Sequence, residues 1–279
     1  MNPILAIATH TFKQGIKQRL FIISIVIAAL IFVLNNVGVT YTNNPYQNWM
    51  NQMRFLQSGA LSAIFFLGLF TSVFALCLII YQDISSKQIF LILKYPLHWG
   101  HYLFGRYLGG LSLIMLNTLA LNIITLIVFP IKIHYQLSAD LAEVAYHALP
   151  SIISNFEYSV LIEFAKLAML LSVFIVFTII THSFINSLIL GSCWLLGASF
   201  KYDLLLLAKQ YYGADSLLYL AAKNLGLIFP DLAAYSLDLI HLTNESASFT
   251  LVIPLIASSI IISSCYLALG FLSTLLNKA

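Results

Sequence analysis

Apolar residues run in long blocks along this chain, and the polar residues gather between them. A helix needs about 20 apolar residues to cross a bilayer core. Runs of that kind fall at Leu20–Val39, Ser58–Tyr81, Tyr107–Ile131, Val160–Thr181, Ile185–Phe200 and Phe249–Leu276. The fifth is short and broken by Gly191 and Gly197, with Leu204–Ala208 as an extension. Little proline interrupts the runs, as suits segments that must close their own backbone hydrogen bonds in lipid. The pattern predicts an all-α integral membrane fold: six transmembrane helices in a single domain over residues 1–279.

Composition narrows the class further. Apolar types make up 61% of the 279 residues and charged types 8%, with a mean hydropathy of +0.94. A soluble domain carries about 25% charged residues to keep its surface wet. A soluble globule, a disordered chain and a nucleic-acid-binding module are all excluded. Orientation follows from where Lys and Arg fall. With the N-terminus inside, the cytoplasmic segments hold Lys13, Lys17, Arg19, Lys87, Lys94, Arg106 and Lys278 against Asp83 alone. The opposite segments hold Arg54, Lys132, Lys201, Lys209 and Lys223 against Asp140, Glu143, Glu157, Asp203, Asp215, Asp231, Asp238 and Glu245. Both termini are therefore expected in the cytoplasm. No cleavable signal peptide is evident, because the first apolar run is too long for one.

Residues 3–19 read as an amphipathic helix. Ile4, Ile7, Ala8, Phe12 and Ile16 recur at spacings of three and four, with His10, Lys13, Gln14, Lys17 and Gln18 opposite. Pro3 suits a first helical turn. A basic amphipathic helix before a span belongs in the inner headgroup layer; the alternative is a basic flank that orients the first span. Residues 82–106, QDISSKQIFLILKYPLHWGHYLFGR, hold an apolar core, IFLIL, far too short to span. The pattern predicts a helix, a break at Pro96 and a second helix leading into the third span. Such a short apolar helix either packs under its own bundle or docks into a groove on another protein.

Residues 132–159 read as a mixed outer loop with one small helix around Ala139–Leu149. The outer stretch 201–248 mixes Tyr211, Tyr212, Tyr219 and Tyr235 with leucine runs. Two short amphipathic helices, Asp215–Ile228 and Asp231–Leu242, suit the interface there or re-enter the membrane. Glu163 and Lys166 are three apart at the start of the fourth span, so they share a face and can pair. They form a structural ion pair or belong to a substrate path. Asn117, Asn122, Asn186 and Ser187 line a path or join helices by hydrogen bonds.

Catalytic signatures are missing from the sequence. It holds no G-x-x-x-x-G-K-[ST] phosphate loop, no H-E-x-x-H and no G-x-S-x-G. Cys77, Cys193 and Cys265 sit apart in apolar runs, without disulfide or metal spacing. His98 and His101 alone make weak grounds for a metal site. If this chain moves something uphill, the energy comes from elsewhere.

The stretch DISSKQIFLILKYPLHWGHYLFGRYLG, Asp83 to Gly109, resembles the signature region of bacterial ABC-2-type transporter permeases. That family carries an acid, a base, an apolar helix ending in proline, then a Gly-basic pair before the third span. The matching positions here are Asp83, Lys87, Ile89 to Leu93, Pro96, Gly105 and Arg106. The opening ILAIATHTFKQGIKQRLF is similar to the family's N-terminal elbow helix, and LIFPDLAAYSLDL more loosely to its outer re-entrant region. Members near it in layout include the permease of the system that matures the copper sites of nitrous oxide reductase. The chain has Gln88 where the family commonly has Thr, and Arg106 where Lys is commoner.

The resemblance implies a permease subunit of an ATP-binding cassette transporter in the bacterial inner membrane. Such a subunit is not itself an enzyme. It pairs with a second copy or a paralogue and binds a separate cytoplasmic ATPase, which holds the ATP and Mg. Residues 82–106 are then the coupling region: Ile89, Phe90, Leu91 and Leu93 sit in a cleft on the ATPase, the flanking charges Asp83, Lys87, Lys94 and Arg106 set the register, and Pro96 ends the helix. Export of an unidentified substrate is the implied direction. The alternative function is a non-transport membrane assembly factor or scaffold.

Overall fold

The computed structural model describes residues 3–18, 22–23, 25–30, 45–87, 98–136, 139–212, 220, 223, 232 and 249–276. The fold is almost wholly helical. In chain order come α1 (Pro3–Lys17), α2 (Pro45–Phe70), a π-helical turn (Thr71–Leu76), α3 (Cys77–Ser85), α4 (Trp99–Gln136), α5 (Ala139–Thr181), α6 (Phe184–Tyr212) and α7 (Phe249–Leu276). Residues 22–23 and 25–30, inside the expected first span, are helical too. Five helices among the described residues are long and apolar enough to cross a membrane: Asn51–Ser85, Trp99–Ile131, Ala145–Thr181, Phe184–Lys201 and Val252–Thr274. Of the outer helices expected at Asp215–Ile228 and Asp231–Leu242, only Leu220, Lys223 and Leu232 are among the described residues, the first two helical and the third in a bend.

Helix α5 is the axis of the bundle. Leu167, Met169, Leu170, Leu171, Val173, Phe174, Ile175, Val176 and Ile179 are all buried, covering its whole circumference. A helix apolar all round is stable only when neighbours surround it or lipid does, and here α2, α4, α6 and α7 all pack against it. The peripheral helices are the reverse case. Helix α6 exposes Ile185, Ile189, Leu190 and Leu196, and α7 exposes Ile253, Ile260, Ile261, Leu269 and Leu272. Leaving one such side chain in water rather than an apolar medium costs about 1.5–3 kcal/mol. So many outward-facing side chains need lipid or protein around them. Trp194 of α6 donates to the hydroxyl of Tyr266 on α7 (2.9 Å), tying two of these peripheral helices together.

Helix boundaries depart from the expected ones in two places. The broken fifth span is one continuous helix, which runs through Gly191 and Gly197 to Tyr212. Gly191 marks close packing rather than a break: any Cβ there would run into the Phe174 ring. Nor is 132–159 a mixed loop. Helix α4 reaches Gln136 and α5 begins at Ala139, so the described residues of that stretch are all helical.

At about 1.5 Å per residue, α4 (38 residues) and α5 (43 residues) run about 57 and 64 Å. A bilayer core is about 30 Å thick, so their joined end carries surplus helix. There the bundle's main apolar core continues through Trp49, Met53, Leu56, Phe129, Ile133, Ala145 and Phe156. Phe129 and Phe156 meet edge to face at 5.5 Å, and Gln57 donates to the Ile152 carbonyl across the α2–α5 seam (3.3 Å).

At the other end, α3 stops in a left-handed turn. The Ser86 N–H bonds the Gln82 carbonyl (3.0 Å) and the Lys87 N–H bonds that of Ile84 (3.2 Å). Lys87 takes φ 55°, a conformation that satisfies a helix's last carbonyls at some cost to a side chain with a Cβ. His182 does the same, at φ 48°, between α5 and α6.

Helix α1 lies lengthwise along the first turns of α4. A Cβ on Gly105 would stand 2.8 Å from Ile7, and one on Gly109 would stand 2.5 Å from Thr11 and 2.7 Å from the Ala8 carbonyl. Gly15 in turn meets Leu113. The contacts advance together along both helices, so the two run parallel. The inner face of α1 is thus Ile7, Ala8, Thr11 and Gly15, while Leu5 and Ile16 are exposed beside His10, Lys13 and Lys17. The apolar stripe expected through Ile16 is rotated, because glycines on α4 form the groove that accepts it.

Candidate functional site

The end of the bundle where α3 stops and α4 starts carries a buried polar cluster. Asp83 sits in the last turns of α3, and Tyr102 and Arg106 are four apart on α4, which places them on one face. Thr11 and Gln14, three apart on α1, meet the same spot from the other side. The Arg106 guanidinium pairs with the Asp83 carboxylate through Nη2 and Oδ2. Tyr102 Oη donates to that same oxygen at 2.6 Å. Through Nη1, Arg106 donates to Thr11 Oγ1 (2.9 Å) and Gln14 Oε1 (3.4 Å), and its guanidinium carbon lies 5.3 Å from the Tyr102 ring centre. The side chains of Arg106 and Asp83 are 2% and 5% exposed. At that depth each charge depends on the other, since removing either leaves an uncompensated buried ion.

This cluster clasps three elements: the end of α3, the start of α4 and the middle of α1. It therefore joins the two ends of residues 86–98 inside the chain. Asp83 and Arg106 direct their charges at each other, and Lys87 alone of the described flanking charges is exposed. Ile89, Phe90, Leu91, Leu93, Lys94 and Pro96 lie outside the described residues.

The second predicted pair is present. Lys166 Nζ lies 2.9 Å from Glu163 Oε1 and 3.0 Å from Oε2, and 4.3 Å above the Phe65 ring centre of α2. Glu163 is buried, whereas the Lys166 side chain keeps 16% of its surface open. Asn117 and Asn122 join helices: Asn117 donates to Thr71 Oγ1 (2.9 Å) and Asn122 to both carboxylate oxygens of Glu157 (3.0 Å each). The Ser187 hydroxyl donates to the Phe184 carbonyl of its own helix (2.7 Å), and Asn186 is exposed.

Sequence reading missed three participants. Gln14 was expected on the water side of α1; Glu157 was assigned to a loop; Tyr102 had no assigned role. A signal for Glu157 existed in the antiparallel register of a continuous α4–α5 hairpin, which brings 122 opposite 157. His98 and His101 stack loosely, with ring centres 5.7 Å apart. Among the described residues, no three His, Cys, Asp or Glu side chains converge on a possible metal position. The chemistry on display is charge pairing and hydrogen bonding between helices. No protein-family model matches the chain, and no curated protein matches it in sequence.

Proposed function

We propose that this chain is the membrane-spanning permease subunit of an ABC-2-type transporter, with six spans and both termini cytoplasmic. Helix α1 acts as the elbow before the first span, and residues 82–106 couple the bundle to a separate cytoplasmic ATPase. The apolar run Ile89–Leu93 sits in a cleft on that ATPase. Two permease subunits, identical or paralogous, complete the transporter, and the direction is export.

One observation carries this reading. The two ends of the stretch that resembles the family's signature are locked together by the buried Asp83–Arg106–Tyr102 cluster. A short apolar segment mounted on a rigid base can pass a push to the helices behind it. Thr11 and Gln14 extend that base to α1, and through it to the first span. The lack of any phosphate loop in the sequence agrees with an outside source of energy. A second reading, a membrane scaffold or assembly factor, draws on the surplus helix at the Gln136–Ala139 end, which offers a surface beyond the bilayer.

The test is co-purification from the native host of the wild-type chain and of Leu91→Asp. The transporter reading expects a Walker-motif ATPase to accompany the wild type and to be lost from the variant, because a buried unpaired carboxylate costs several kcal/mol. Equal recovery with both chains removes the coupling role, and the absence of any ATPase favours the scaffold.

A further inference from the structure

The six residues Thr71–Leu76 form a π-helix between α2 and α3. The sequence there, TSVFAL, holds no proline or glycine to force it. A π turn accommodates one residue more than an α-helix fits between two fixed points, and it is often found at functional positions. The fixed points are visible on both sides. Toward α2, Gly68 seats against Leu167, and the Thr71 hydroxyl accepts from Asn117 (2.9 Å) while donating to the Leu67 carbonyl (2.7 Å). Toward α3, Leu76 fills the space over Gly110, and Asp83 is held by Arg106 and Tyr102. The Cys77 thiol reaches the Ser72 carbonyl, five residues back, at 3.5 Å.

We infer that this turn is a register switch: α3 has two positions one residue apart, and the Asp83–Arg106 pair selects the π form. If the turn relaxes to an α-helix with α2 held in place, everything beyond it rotates by about 100° and advances about 1.5 Å. That rotation carries Asp83 off Arg106, so the ion pair and the π turn stand or fall together. A pull on the chain beyond Ser85 would release both. The inference goes beyond the transporter reading and does not need an ATPase to be tested.

The experiment places spin labels at the exposed positions Gln82 (α3) and Leu272 (α7) of the full chain. The exposed Cys193 and Cys265 are replaced by Ser, buried Cys77 is retained, and the distance is read by pulsed electron resonance. Asp83→Asn and Arg106→Gln break the pair from opposite sides, and both should add the same second distance. Deleting Val73 removes the surplus residue while leaving both sets of fixed points in place. In that background the wild-type distance should persist, and Asp83→Asn should add nothing. An unchanged distance in the two pair variants, unlike or merely broadened distributions in them, or the same shift with and without Val73, each overturns the switch. Should the deletion not fold, agreement or disagreement between the two pair variants decides the matter.

Discussion

Replacing Arg106 with Met should be the most damaging single change in the chain, and its cost can be worked from the contacts. The guanidinium neutralises Asp83 and donates to Thr11 and Gln14. The Arg106→Met variant would leave the carboxylate, 5% exposed, with only the Tyr102 hydroxyl. Breaking a buried pair in this way costs about 3–5 kcal/mol, and each of the two lost hydrogen bonds from the guanidinium adds about 1.5 kcal/mol. The total is about 6–8 kcal/mol; for a chain of this size about 1 kcal/mol moves the midpoint by 2–4 °C, so a fall of about 12–32 °C is expected in detergent. The informative comparison is the double variant Asp83→Leu/Arg106→Met. With both charges gone, no uncompensated ion remains, and most of the lost stability should return. A cycle over wild type, the two singles and the double should give a coupling of at least about 2 kcal/mol. Additive losses, or a fall of under about 2 °C for Arg106→Met, would refute the claim that this pair holds the three elements together.

Other outcomes follow from the same geometry. Gly109→Ala pushes a methyl against the Ala8 carbonyl and should cost about 1–3 kcal/mol. Gly100→Ala, whose nearest neighbour is 3.9 Å away, should be neutral or stabilise by up to about 1 kcal/mol; thermal midpoints of the two variants distinguish them. Glu163→Gln strands Lys166, which retains some exposure and the Phe65 ring, so a loss of about 1–3 kcal/mol is expected. ATPase stimulation of the assembled complex should be nearly unchanged; a stable but inactive variant moves the pair into a substrate path. Reporter fusions at Asn44, Ala142 and Ser216 should read outside and one at Ser86 inside, and a reversed Ser86 signal ends the proposed topology.

Five of the six expected spans were legible because their signal is local. Twenty apolar residues in a row announce themselves, and the wholly buried circumference of α5 reads as a run without a polar face. The surplus length of α4 and α5 was not legible, because Pro150 and the charges of 140–157 imitate a loop. Yet Ala142, Ala145, Leu149, Ile152 and Phe156 keep helical spacing and pack against α2 and α4. Glu163 and Lys166 could be paired from sequence, being one turn apart on one helix. Asp83 and Arg106 were singled out by motif, but their union was not, since 23 positions separate them and only the fold closes the gap. Gln14 escaped because the docking face of α1 is chosen by Gly105 and Gly109 on another helix. The π turn leaves no mark in TSVFAL at all; distant contacts impose it.

The central claim is that the apolar run after Lys87 meets a nucleotide-driven partner. A photoreactive amino acid at Leu91, activated in native membranes, tests this most directly, with the captured species identified by mass spectrometry. The account predicts a crosslink to a cytoplasmic chain bearing a Walker phosphate loop, weakened when Arg106→Met loosens the base of the segment. Capture of lipid alone, or only of residues in this same chain, would contradict it.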